Sequence, residues 1–232
     1  MPYSHSALHH HTIEGIFAVK LNHFFLILAL AALTSCSSAY YGAMEKLGVH
    51  KRDIMVDRVK EARDTQQETK KQFLSAMEQF KSVVNFKGGN LEKEYEKLKD
   101  TLDESEAKAE DVRDRISSVE DVSEALFSEW RKEIKQYNSA SLRRLSQSKY
   151  NLSKKRYTEL ITAMKRAESK LEPALIPLRD QVLYLKHNLN ARAITGLSAE
   201  LTGVQTNVDN LVRDMEKAIT QADAFIATLK EN

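Results

Sequence analysis

Residues 197–229 read LSAELTGVQTNVDNLVRDMEKAITQADAFIATL. Within them Leu197, Leu201, Val204, Val208, Leu211, Met215, Ala218, Ala222, Phe225 and Leu229 follow one another at alternating spacings of four and three. The mean spacing of about 3.5 residues is close to one helical turn, so these side chains form one stripe along a long helix. Gly196 and Gly203 weaken such a helix locally without ending so regular a pattern. A helix with a single apolar stripe must bury it against other helices.

The same spacing recurs upstream. Met55, Val59, Ala62, Gln66, Thr69, Phe73, Ala76, Phe80 and Val83 form a first run. Gly88 and Gly89 end it, because paired glycines disfavour a helix interior and supply left-handed backbone; Asn90 then caps the next helix. Leu91, Tyr95, Leu98, Leu102, Ser105, Ala109, Val112 and Ile116 form the second run. Glu92, Glu94 and Glu96 near its start and Arg113 and Arg115 near Ile116 complement a helix macrodipole. Ser117 with Glu120, or Ser118 with Asp121, reads as a capping box, which predicts a reversal at 117–118. A third helix is expected from 119 to 171, its apolar face begun by Val122, Leu126, Trp130, Ile134 and Tyr137. Its acids come early and its bases late, which favours one continuous helix; the alternative is a break at Asn138-Ser139-Ala140-Ser141. Pro173 and Pro177 are expected to end it. Leu178, Val182, Leu185 and Leu189 open a fourth helix that continues, after a one-residue phase skip, into the stretch quoted first.

These patterns predict an all-α fold, an elongated antiparallel helical bundle or coiled coil of about four long helices. Composition agrees. Seven glycines and three prolines in 232 residues are too few for the turns of an all-β or doubly wound α/β fold. The seams hold much Ala, Ser, Thr and Gln, so modest stability or self-association into a homo-oligomer is expected. The single cysteine excludes an intramolecular disulfide and a multi-cysteine zinc site. Net charge is +2, without the overall basicity of a nucleic-acid binder.

Ahead of the heptads, Lys20 precedes an apolar run from Phe24 to Leu33, and Thr34, Ser35 and Cys36 follow. Ten apolar residues reach about 15 Å as a helix, half of a bilayer core, so the run reads as a secretory signal rather than a membrane span. Leu33-Thr34-Ser35-Cys36 resembles the lipobox of bacterial lipoproteins. That resemblance implies removal of residues 1–35, a diacylglycerol on the Cys36 thiol and acylation of the new amino group. Ser37 and Ser38 then favour the outer membrane over the inner. Two or more acyl chains hold a protein stably, since each buried methylene contributes about 0.8 kcal/mol. The histidines of residues 1–18 fall in a segment lost with the signal, and Val19 is the expected true start. Residues 36–43 are expected to be a tether and 44–232 the helical domain.

Two clusters in the mature chain are candidate sites. Between 134 and 170 there are ten bases and two acids, against ten acids and six bases between 91 and 116. Arg143, Arg144, Lys154, Lys155 and Arg156 could meet an envelope polyanion, or could set the register of this helix along an acidic neighbour. Nucleic acid is not expected of an exported chain without stacking aromatics. Asp180, His187 and Asn190 border a seam and are expected to form a polar layer that fixes register. A lone histidine with neither nucleophile nor second ligand has no chemistry to perform. No phosphate loop, His-Glu-x-x-His or Gly-x-Ser-x-Gly motif occurs, so neither catalysis nor a cofactor is expected.

The lipobox, Leu126-Phe127-Ser128-Glu129-Trp130, Arg156-Tyr157 and above all residues 179–191 (Arg-Asp-Gln-Val-Leu-Tyr-Leu-Lys-His-Asn-Leu-Asn-Ala) resemble a gammaproteobacterial lipoprotein family, domain-of-unknown-function family 2959. The resemblance covers nearly all of the mature chain. It implies a helical, coiled-coil-rich envelope protein and carries over no catalytic residue. The resulting expectation is a non-enzymatic periplasmic scaffold or spacer, held to the outer membrane through Cys36, with an envelope protein as partner. The alternative is a carrier of apolar ligands or lipid, with a groove near Trp130, Tyr184 and the Pro173–Pro177 segment.

Overall fold

A computed structural model describes residues 40–230, with residues 191–193 described by their backbone alone. Contacts divide the chain into two units, one ending at His50 and one beginning at Lys51. In the first, helix α1 covers residues 40–46, so helix begins inside the stretch 36–43 expected to be a tether. It stops at Gly48, whose φ of 83° lies in the left-handed region. There Gly48 N donates to Glu45 O and Val49 N to Met44 O, the paired bonds of a Schellman stop.

The second unit contains α2 (Lys51–Val84), α3 (Leu91–Ile134), α4 (Ala140–Glu168), α5 (Leu171–His187) and α6 (Ala191–Lys230). It is all-α among the described residues, as expected, but has five helices rather than about four. The first link is where the sequence places it. Gly88 and Gly89 have φ of 142° and 117°, and the Asn90 side chain accepts from Lys93 N at 3.2 Å.

The reversal expected at 117–118 does not occur. Ser118 Oγ donates to Asp114 O at 2.9 Å, back into its own helix rather than forward as a cap. Arg113 and Arg115 do not mark a helix end either: Arg115 reaches Glu61 of α2 at 2.9 Å, and Arg113 reaches Glu172 of α5 at 3.5 Å. The bases that do complement the end of α3 are Arg131 and Lys132. The chain breaks at 135–139, so the continuous third helix is also corrected. Lys135 N and Gln136 N bond three residues back, and Ser139 caps α4 by accepting from Leu142 N at 3.4 Å.

Pro173 and Pro177 do not reverse the chain. Pro173 lies in the first turn of α5 and Pro177 inside it. A proline ring clashes with the carbonyl four residues before it; for Pro173 that is Ser169, where α4 ends. The helix is interrupted at Ser169–Lys170 without turning the chain back. Lys165 of α4 meets Glu120 of α3 at 2.9 Å, Glu172 meets Arg113, and Arg179 meets Glu106. Each step forward along α4 and α5 is thus the same step back along α3. The reversal comes at Asn188–Asn190, where the heptad phase skips.

Side-chain pairs fix the remaining directions. Glu61–Arg115, Glu68–Lys108 and Gln79–Glu94 make α2 and α3 antiparallel. Arg63–Asp223 and Lys70–Glu216 do so for α2 and α6. Arg166–Asp214 and the ring contact of Tyr157 with Phe225 do so for α4 and α6. Four antiparallel rods result, α4 and α5 sharing one; α2 packs on α3 and α6, and the shared rod packs on both as well. With 44 residues, α3 is about 66 Å long.

The seam is filled by the predicted stripes. Phe73, Phe80, Leu98, Ile116, Leu160, Met164, Leu178, Leu185, Val208, Leu211, Met215 and Phe225 are almost wholly buried. Each such side chain contributes about 1.5–3 kcal/mol. Buried Gln66, Thr69 and Ser105 form a polar band in the middle. Thr69 and Ser105 return their hydroxyls to Thr65 O and Thr101 O, whereas the Gln66 amide has no partner among the described residues. An unmet buried amide costs on the order of 1–3 kcal/mol.

Candidate functional site

The charges of α4 divide along its length. In the second half, Lys165 pairs with Glu120, and Arg166 bonds Asp214 of α6 at 3.2 Å. Asp214 is 4% exposed. Burial alone would push its carboxyl up, but hydrogen bonds from Arg166 and Lys217 outweigh burial and hold it below the ordinary carboxylate range. Beyond Lys170, Arg179 bridges Glu172 and Glu106, and both hydrogen bonds raise its pKa above the ordinary arginine value. Of these, Lys165 with Glu120 is the pair that joins the basic stretch 134–170 to α3; Arg166 pairs with α6, and Arg179 lies beyond the stretch.

A ladder of rings ties α3, α4 and α6 near the 135–139 link. Trp130 and Phe127 each meet Tyr150 with centroids 5.7 Å apart. Phe127 also meets Tyr157 at 5.5 Å, and Tyr157 meets Phe225 at 6.2 Å. Trp130 Nε1 donates to Ser146 Oγ at 3.0 Å. Lys154 Nζ stands 4.6 Å from the Phe127 centroid and 4.8 Å from that of Tyr157. Burial, and then the charge of Arg131, lower its pKa. Lys154 is therefore an exposed cation standing over this cluster.

The other candidates of that block separate. Arg156 pairs with Glu159 at 3.0 Å on its own helix. Lys155 lines a groove between α4 and α6. Arg143 and Arg144 are exposed at the start of α4, where Arg143 donates to Tyr137 O at 2.6 Å. Leu142, Leu145 and Leu152 beside them are 52%, 55% and 48% exposed. Sequence reading missed these leucines. Their helical spacing was visible, but a helix continuous through 138 would have been treated as core throughout.

The polar layer is also corrected. Asp180, His187 and Asn190 are all exposed, and so is Leu189. The buried polar side chain of this region is Gln181, one residue from Asp180. Cys36 and the lipobox residues Leu33, Thr34 and Ser35 lie outside the described residues, as do the leader and its histidines.

Two grooves matter for ligand binding. One of about 620 Å³ is lined by Lys155, Thr158, Glu159, Thr162, Ala163, Arg166, Asp214, Lys217 and Gln221. Another of about 520 Å³ is lined by Ile176, Pro177, Asp180, Gln181, Tyr184, Gly196 and Glu200. The second includes Tyr184 and Pro177, as the carrier alternative expected, but not Trp130. Arg179 already stands at Glu106 on α3, so Tyr184 and Trp130 are separated by roughly 40 Å along that helix. They cannot border one groove. Among the described residues, no three His, Cys, Asp or Glu side chains gather as a metal site, and no helix is long and apolar enough to cross a membrane.

No curated protein matches the chain. A family model described as "Protein of unknown function (DUF2959)" matches residues 40–229, which take in α1 and all but the last residue of α6. The chain therefore belongs to the DUF2959 family of proteins of unknown function.

Proposed function

We propose that this protein is a non-enzymatic, lipid-anchored envelope protein, a periplasmic scaffold or spacer carried on an acylated Cys36 at the outer membrane. The observation that favours a scaffold is the filled seam. Most stripe positions, from Met55 on α2 to Leu229 on α6, are buried, Tyr137 and Leu189 being exposed, so binding surface is left on the outer faces of the rods. Ile176 and Leu183 are exposed on α5 and offer apolar contacts to a protein partner. The carrier alternative requires an enclosed apolar groove, whereas both large grooves are open to solvent and carry charged residues at their walls, Lys155, Arg166, Asp214 and Lys217 in one and Asp180 and Glu200 in the other.

The lipobox resemblance supplies the anchor, and the test follows from its chemistry. Intact-mass analysis of the membrane-extracted protein is expected to give a chain beginning at Cys36 and carrying three acyl groups. A cytosolic, unacylated product retaining residue 1 sinks the lipoprotein reading. Crosslinking in cells from position 183 is expected to capture a defined envelope protein. Capture of lipid alone supports the carrier instead.

A further inference from the structure

The first three turns of α4 break two rules that the rest of the bundle obeys. Between Ala140 and Leu152 no side chain is buried, although the stretch is helical and carries Leu142, Leu145 and Leu152 at helical spacing. From Ile134 to Thr158 there is also no acid, while Arg143, Arg144, Lys149, Lys154, Lys155 and Arg156 are all present. Arg143 and Arg144 lie at a helix start, where the macrodipole disfavours cations, and neither is ion-paired among the described residues. Apart from the bond of Arg143 to Tyr137 O, neither the exposed leucines nor the unfavourably placed arginines make a contact that holds the bundle together. Positions that contradict local rules without a structural gain mark function.

The fold also says where this surface lies. Lys51, the first residue of α2, pairs with Glu129 at 3.0 Å, and Ser146 of α4 accepts from the next residue, Trp130. The start of α2 and the start of α4 therefore meet α3 at the same turn. The exposed stretch sits at the end of the bundle where the chain arrives from its amino-terminal segment. Cys36 lies fifteen residues before Lys51 in the sequence.

We infer that residues 140–152 form a secondary membrane contact, in which Leu142, Leu145 and Leu152 enter the interface of an anionic bilayer while Arg143, Arg144 and Lys149 meet lipid phosphates. This rests on the lipid-anchored reading for its orientation. Apolar insertion combined with cationic attraction is the chemistry of an interfacial helix. Each cation near such a surface strengthens attachment several-fold, and salt weakens it. The contact gives the anchored rod a second point of attachment and so restricts its tilt.

The experiment uses the full chain on vesicles of phosphatidylcholine, with and without about one third phosphatidylglycerol, read by amide hydrogen exchange and by flotation. Exchange of residues 140–152 is expected to slow on the anionic vesicles and to stay unchanged on the neutral ones. High salt should reverse the slowing. Arg143→Glu/Arg144→Glu is expected to weaken this charge-dependent contact by about 30-fold or more. The variant places acids at a helix start, so loss of contact will not reflect unfolding. Equal exchange on both vesicles overturns the proposal. So does slowing that follows protein concentration instead of lipid charge, which assigns the surface to a second copy of the chain. Flotation on neutral vesicles reports the acyl anchor independently, so loss of the anchor and loss of this contact are separable.

Discussion

Residues 140–152 and 153–168 belong to one uninterrupted helix, yet every buried side chain of α4 lies in the second stretch. Ser153, Tyr157, Leu160, Met164 and Ala167 face α6 and α3, while Leu142 and Leu145 face solvent. Spacing alone does not distinguish the two halves. Register does. Tyr157 stands against Phe225, and the two helices run in opposite senses, so Lys230 lies level with about residue 152. The part of α6 described here covers the second half of α4 and not the first. A heptad supplies an apolar face; the register of its neighbour decides whether the face is core or surface.

Truncation is the strongest way to test that difference. Leu160→Ala is expected to cost about 2–5 kcal/mol in urea unfolding, because Leu160 is wholly buried. Leu145→Ala is expected to change stability by less than about 0.5 kcal/mol. Equal losses would mean that the first half of α4 is packed after all.

A smaller effect is expected at the ion pairs holding the covered half. Asp214→Asn should cost about 1–2 kcal/mol at neutral pH, kept modest because Arg166 and Lys217 are both largely exposed. The folded-state pKa of Asp214 is depressed, so its contribution is complete above the ordinary carboxylate range. It disappears as pH falls through the folded value. The gap between wild type and variant should therefore close in acid; a gap independent of pH would assign the loss to packing.

A small effect of the opposite sign belongs to the exposed half. Arg143→Glu/Arg144→Glu is expected to raise stability by a few tenths to about 1 kcal/mol, measured by thermal unfolding at low salt. A loss would show that the hydrogen bond from Arg143 to Tyr137 O outweighs the macrodipole.

The same contrast explains what the sequence revealed. The all-α class, the Gly88–Gly89 link, the Asn90 cap and the apolar stripe of α6 were legible because each depends on local chemistry. The two misplaced reversals failed for a shared reason. Arg113 and Arg115 resemble a helix end, but they serve Glu172 and Glu61 on other helices, and no local pattern distinguishes those uses. Pro173 resembles a stop, but whether a proline reverses or only bends a chain depends on what continues to pack beyond it. Asp180, His187 and Asn190 border a seam on a helical wheel, but rotation of α5 chose Gln181 as its buried polar residue. The leucines of α4 became noticeable only once register left them uncovered.

The pairing of α2 with α6 has a further consequence in time. Arg63 and Asp223 are 160 residues apart and meet at 2.8 Å, so the first long helix is completed by the last. In an exported chain that crosses the membrane amino-terminal end first, α2 arrives well before that partner. Until then α2 has only α3 beside it, and the polar band around Gln66 remains open on one side. The bundle closes as a late event, after nearly all of the chain has emerged, and in the meantime a hairpin with one bare flank must be kept from pairing with other chains.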